Sequence, residues 1–274
     1  MKLFILVLCV AACAEVRAVP TGPACAASTL EIRGNRIWVD REGTGRLTVV
    51  FEAGFGNDSS VWTTIAPRIR ARGVSTFIYD RAGMGKSTID TSAPYSFAND
   101  VAILRTALER CRITGPIIMV GHSYGGAMSL LAATEDSQIA GIVLVDSMVP
   151  LAWSQDELAK NMKAMRAQYD EIREKAPALA QVAIPWAEAL PATVKQLDAL
   201  VLPDRLPMID IVAEKGQDTP ESAQMWRDAH QRFTANHPRR ESIFATGSSH
   251  KVMVDKPDLV VDSIAKMIAT VAAP

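Results

Sequence analysis

The stretch that most restricts the fold is an apolar run, Ile117 to Val120, that passes without a break into Gly121-His122-Ser123-Tyr124-Gly125-Gly126. A short, β-branched, uncharged run of this kind reads as a buried strand. Ala127 to Thr134, rich in small residues, reads as the helix that follows. A strand that turns directly into a helix through G-x-S-x-G leaves the serine on a sharp bend. The flanking glycines then remove Cβ atoms that would collide there. The helix also points its positive end at the serine. The pentapeptide alone is a weak signal; the strand before it and the helix after it give it weight.

The rest of the chain alternates in the same way, which predicts an α/β fold with a largely parallel sheet. Strands are expected at Leu30 to Arg33, Arg36 to Asp40, Leu47 to Glu52, Val74 to Tyr79, Ile142 to Val145, Met208 to Ala213 and Ser242 to Ala245. Helices are expected from about Ser60 to Ala71, from a Ser96 cap to Cys111, from Glu221 to Ala235 and from Pro257 to Thr270. Residues 149–206 interrupt the alternation. They carry helical stretches such as Asp156 to Glu174, several prolines and no strand signal. The expected organisation is a core of residues 19–148 and 207–274 with a helical cap inserted as residues 149–206.

A serine hydroxyl needs a base to take its proton. The chain has four histidines. His122 lies inside the bend and is expected to point away from Ser123. His230 and His237 lie on or just after a predicted surface helix. His250 follows a strand and a Gly-Ser-Ser turn, at the sheet edge where Ser123 also emerges, so it is the candidate base. An acid must accept the hydrogen bond from the other nitrogen of His250. Asp146, directly after Ile142 to Val145, and Asp218, a few residues past Met208 to Ala213, both satisfy the order Ser, acid, His. Asp146 is favoured because it is closer to its strand. A tetrahedral oxyanion needs preset N–H donors. The Tyr124 amide is one. The loop Ala53-Gly54-Phe55-Gly56 is expected to supply the other through Phe55.

Composition narrows the ligand. The formal net charge is −1, with 29 basic and 30 acidic residues. That offers no basic footprint for nucleic acid, and a small acyl compound is the expected partner. No Cys-x-x-Cys or His/Cys cluster is present, so neither a metal nor a cofactor is expected. Lys2, an apolar run from Leu3 to Ala12 and small residues up to Ala18 have the make-up of an export signal, residues 1–18. Cleavage after Ala18 leaves Cys25 and Cys111, an even pair suited to an oxidising compartment. Val10-Ala11-Ala12-Cys13 also resembles a lipobox, which would tie the chain to a membrane through Cys13.

The motifs come in an order that resembles the α/β-hydrolase family. They are Ala53-Gly54-Phe55, then Asp80-Arg81-Ala82-Gly83-Met84-Gly85-Lys86-Ser87, then the Ser123 bend, then Ser249-His250 followed by Asp255-Lys256-Pro257. The resemblance covers nearly all of the chain after residue 18. It implies an eight-stranded, mostly parallel sheet, a helical cap after the sixth strand, and a structural role for the Asp80 to Ser87 turn. Most members carry the acid after the seventh strand, which points to Asp218. Val145-Asp146-Ser147-Met148-Val149-Pro150 instead resembles the haloalkane dehalogenases, which place it after the sixth. Those enzymes use an aspartate nucleophile, so the likeness concerns acid placement alone. The expected activity is hydrolysis of an ester, lactone or amide through an acyl-enzyme on Ser123. An acyltransferase or perhydrolase with the same triad, or a ligand-binding protein of this fold, are the alternatives.

Overall fold

The computed structural model describes residues 25–217, 219–235 and 237–273. The leader, Cys13 and Asp218 lie outside these residues. Eight strands form one sheet in the order β1-β2-β4-β3-β5-β6-β7-β8. They are β1 (Ser28–Ile32), β2 (Asn35–Glu42), β3 (Thr48–Glu52), β4 (Ser75–Tyr79), β5 (Ile117–His122), β6 (Ile139–Val145), β7 (Met208–Lys215) and β8 (Arg240–Ser249). The β1–β2 and β2–β4 pairs are antiparallel and the others parallel.

The central strands are buried on both faces, which is why their sequences are nearly continuous apolar runs. In β5, Ile117 and Met119 face one core and Ile118 and Val120 the other, as the two-residue period of a strand demands. Around the sheet lie α1 (Ala66–Arg70), α2 (Phe97–Arg110) and α3 (Tyr124–Glu135). Between β6 and β7 come α4 (Gln155–Arg166), α5 (Tyr169–Lys175) and α6 (Pro177–Asp198), and after β7 come α7 (Pro220–Thr234), α8 (Val252–Asp255) and α9 (Pro257–Ala272). The first core holds residues of α2, α3 and α7; the second holds residues of α1 and α9. Ser96 caps α2 as expected, accepting from the Asn99 amide at 3.2 Å.

Two expectations change. Ser60 to Ala71 is not one helix but a 3-10 turn, Ser59–Trp62, followed by the short α1. Pro67 lacks the N–H that a continuous helix would need there. Asp156 to Glu174 divides between α4 and α5. The prolines of residues 177–198 do not break the chain: Pro185 and Pro191 lie inside the 22-residue α6. An interior proline costs about 3 kcal/mol. Here Val182, Ala187, Leu190, Val194 and Leu197 all bury on α6, and that apolar face offsets the cost. A disulfide joins Cys25 to Cys111, with Cα atoms 5.4 Å apart, and ties the chain before β1 to the end of α2.

Candidate active site

Strand register brings the site together. His122, the last residue of β5, pairs with Val145, the last of β6, and Val145 pairs with Ile211 of β7. Ser123 and Asp146 are therefore each one step beyond the same row, on adjacent strands. Both take left-handed backbone, φ 53° for Ser123 and φ 44° for Asp146, a conformation that non-glycine residues hold only where their surroundings impose it. The bend also brings α3 hard against β3. A Cβ on Gly125 would lie 2.6 Å from the carbonyl oxygens of both Glu52 and Ala53, so only glycine fits.

Asp146 is fully buried. Its Oδ2 accepts from His250 Nδ1 at 2.6 Å. Its Oδ1 accepts from the Ala213 amide at 3.0 Å and from the Trp226 indole N–H at 2.9 Å. Burial alone would raise the carboxyl; the bond and charge of His250, with the two N–H donors, outweigh it and hold Asp146 below the usual range. A carboxylate can only accept, so Nδ1 carries the proton and Nε2 is left as the basic nitrogen. His250 makes no hydrogen bond to Ser123; its bonds are the ring to Asp146 and its carbonyl to His122. Serine–histidine bonds are often loose in unliganded sites. Asp255, on α8, accepts from the Ser249 amide at 2.7 Å and its hydroxyl at 2.6 Å, and so fixes the turn just before His250.

The other histidines divide. His122 is buried, and its Nε2–H donates to the His250 carbonyl at 2.9 Å. Burial and the neighbouring His250 ring push it down to about 3, so it stays neutral. A Cβ on Gly54 would lie 2.6 Å from His122 Nδ1 and 3.2 Å from the Ser123 Cβ. His122 therefore packs between the loop after β3 and His250. His230 corrects the sequence reading. It is not on a surface but fully buried, with Nδ1 2.8 Å from the equally buried Asp210 of β7. The reason is that α7 is amphipathic and His230 lies on its inward face with Trp226, Ala229 and Phe233. His237 is remote, 3.5 Å from Asp204.

A small aromatic cluster joins the loop after β3 to α6. Phe55, in the loop after β3, stacks on Trp186 of α6 with ring centroids 3.9 Å apart. Trp186 also meets Tyr124 edge-on at 5.7 Å. Beneath them is a polar cluster that sequence reading missed. The Arg81 guanidinium donates to the Ala53 carbonyl, to the Gly54 carbonyl at 2.6 Å, and to Glu52 Oε2 at 3.2 Å. Glu52 also accepts from Tyr79 OH. The Tyr124 hydroxyl bonds Tyr95 and donates to Asp100 at 3.1 Å. The one signal for this cluster was a glutamate at the end of the apolar strand Leu47 to Glu52.

Comparison with known proteins agrees with this architecture. Residues 49–263 match the model of the alpha/beta hydrolase family. The uncharacterised protein YqjL of Bacillus subtilis (strain 168) is 27% identical over 223 residues, covering 80% of this chain and 83% of YqjL. Lipase LipV of Mycobacterium tuberculosis is 35% identical over 114 residues, 41% of each chain. Among solved structures, a thermophilic esterase from Thermogutta terrifontis superposes with a TM-score of 0.65 at 17% identity, covering 87% of this chain and 95% of that one. With a matched span running from β3 into α9 and a sheet, bend and strand-end loops of the same kind, the chain belongs to the α/β hydrolase family.

Proposed function

We propose that this protein is an exported serine hydrolase that cleaves an ester, or a related lactone or amide, through an acyl-enzyme on Ser123. The observation that carries the reading is the 2.6 Å bond from His250 Nδ1 to the buried Asp146, set beside a serine on a strained bend at the same edge of the sheet. Ser123 Oγ attacks the acyl carbonyl carbon as its proton passes to His250 Nε2. The oxyanion is held by the Phe55 and Tyr124 amides. The intermediate collapses, the carbon–oxygen bond to the alcohol breaks, and the proton from His250 leaves with the alcohol. Water then attacks the acyl-serine, gives its proton to His250, and Ser123 recovers a proton as the acid departs. The α4 to α6 segment is the cap over this site. The lipase relative from Mycobacterium supports an ester as the bond. The Cys25–Cys111 bridge supports export, since disulfides persist in oxidising compartments.

A fluorophosphonate probe tests the mechanism. Wild-type protein should be labelled at Ser123 and should turn over a short-chain aryl ester. Ser123→Ala should lose the label and several orders of magnitude in rate. A folded Ser123→Ala protein with wild-type activity would refute the reading, and a labelled wild type that turns over no ester, lactone or amide would favour a binding role.

A further inference from the structure

Arg81 belongs to a turn that the family resemblance makes structural, yet its contacts reach the reacting centre. Its guanidinium is buried beside the fully buried Glu52. Two of its nitrogens donate to consecutive carbonyls, Ala53 and Gly54, of the loop after β3. Its carbon also lies 5.3 Å from the centre of the Tyr124 ring. Arg81 thus touches the Tyr124 ring and the Gly54 carbonyl, which belongs to the peptide unit that carries the Phe55 N–H.

Peptide planarity turns these contacts into an orientation. The Gly54 carbonyl and the Phe55 N–H belong to one trans peptide unit and point in opposite directions. Holding that carbonyl on Arg81 points the Phe55 N–H away from the guanidinium. A turn bond from the Asn57 amide to the same carbonyl is longer, 3.2 Å, and carries no charge. Charged donors make the stronger bonds. The fork of the guanidinium lets one side chain fix two successive peptides, which a point-charge lysine cannot do. Burial makes the arrangement stiff. Glu52 Oε2 accepts from Arg81, Tyr79 donates to the other oxygen of Glu52, and neither Glu52 nor Arg81 has more than a trace of exposed surface.

We infer that Arg81, braced by Glu52, is a positioning residue that presets the Phe55 amide as an oxyanion donor for the Ser123 reaction. The inference rests on the serine-hydrolase reading above. The Arg81 guanidinium need not touch substrate; it acts through the 54–55 peptide. Its effect belongs to the transition state, where the oxyanion forms, so it should appear in kcat and spare KM.

The test compares three variants in the full chain with an aryl ester, alongside a trifluoromethyl ketone that forms an oxyanion adduct on the serine. Glu52→Gln keeps the guanidinium. Glu52→Gln with Arg81→Met removes it without stranding a buried carboxylate. Arg81→Lys keeps one charge and loses the fork. Removing an oxyanion donor outright costs about 100- to 1,000-fold in kcat. Loss of aim alone should cost the double variant about 10- to 100-fold relative to Glu52→Gln, with KM within about twofold and ketone affinity falling in step with kcat/KM. A crystal structure of the double variant should show the 54–55 peptide rotated. A folded double variant with the kcat of Glu52→Gln, or one that loses only KM, overturns the proposal. If the double variant does not fold, Arg81→Lys decides by the same two readouts: a lower kcat with weaker ketone binding supports it, and wild-type values overturn it. Fluorophosphonate labelling of the wild type separates these outcomes from failure of the parent mechanism, because a wild type that does not label has no serine chemistry to aim.

Discussion

At the scale of single residues, the geometry of the candidate site rests on the donors that surround Asp146. Asp146 receives three N–H bonds, and the one from Trp226 was not foreseeable from sequence, since the two are 80 residues apart and meet only because α7 packs on β7. Trp226→Phe keeps the packing and removes that N–H. Oδ1 then loses one of its two donors, and we expect kcat to fall about 10-fold with KM unchanged, as fits the loss of one hydrogen bond to a charged group of about 1.5 kcal/mol. Steady-state kinetics on an aryl ester checks it. Asp146→Asn removes the acceptor itself and favours the wrong tautomer of His250, so a loss of up to about 10,000-fold is expected. The pairing of His250 with Asp146 was legible because chain order restricts it strongly. Ser123 sits in a readable motif, and His250 is the one histidine that follows a strand and a tight turn. His230 was misread for the converse reason. A histidine inside a polar-looking helix is buried only if an aspartate waits opposite, and Asp210 stands in a strand whose sequence does not say which way each side chain faces.

Among elements, the sheet was the readable part and the helices the harder one. All eight strands were expected from the sequence, and β3 to β6 announce themselves most clearly as apolar runs, while the register that aligns Ser123 with Asp146 shows only in the paired sheet. The α6 helix does not announce itself, because Pro185 and Pro191 argue locally against it while its buried face argues for it, and only the packed molecule shows which wins. That helix bears on the proposed function because it delivers Trp186 onto Phe55 and Tyr124, the two residues proposed to supply the oxyanion donors. Trp186→Ala should therefore open the site, raising kcat/KM for longer acyl chains relative to acetyl by about 10-fold, a typical worth of a few methylenes in an apolar pocket. A chain-length series of p-nitrophenyl esters would show it. Unchanged chain-length preference would remove Trp186 from the pocket.

For the whole molecule, two features set stability. The Cys25–Cys111 bridge closes a loop across β1 to α2, and its loss in Cys25→Ser with Cys111→Ser should lower unfolding free energy by about 2–4 kcal/mol, read from urea denaturation at neutral pH. Glu52 adds a pH dependence. Burial pushes it up to about 7, while Arg81 and Tyr79 pull it back and Asp100 adds to the rise. The native state therefore holds a proton that the unfolded chain, with an ordinary carboxyl, releases earlier. Stability is fully present below the unfolded value near 4.5 and is lost as pH rises through about 7. Thermal unfolding of wild type should fall relative to Glu52→Gln across that window, and parallel curves would show that Glu52 ionises normally. The layout of the sheet has one more consequence. Ser123 and Asp146 leave adjacent strands in its middle, but His250, the base in the proposed mechanism, follows β8, the outermost strand, which meets the rest of the sheet along one side only, at β7. On the proposed mechanism, detachment of that single edge would leave Ser123 in place with no base beside it, so that activity would report whether the border of the sheet has been laid down.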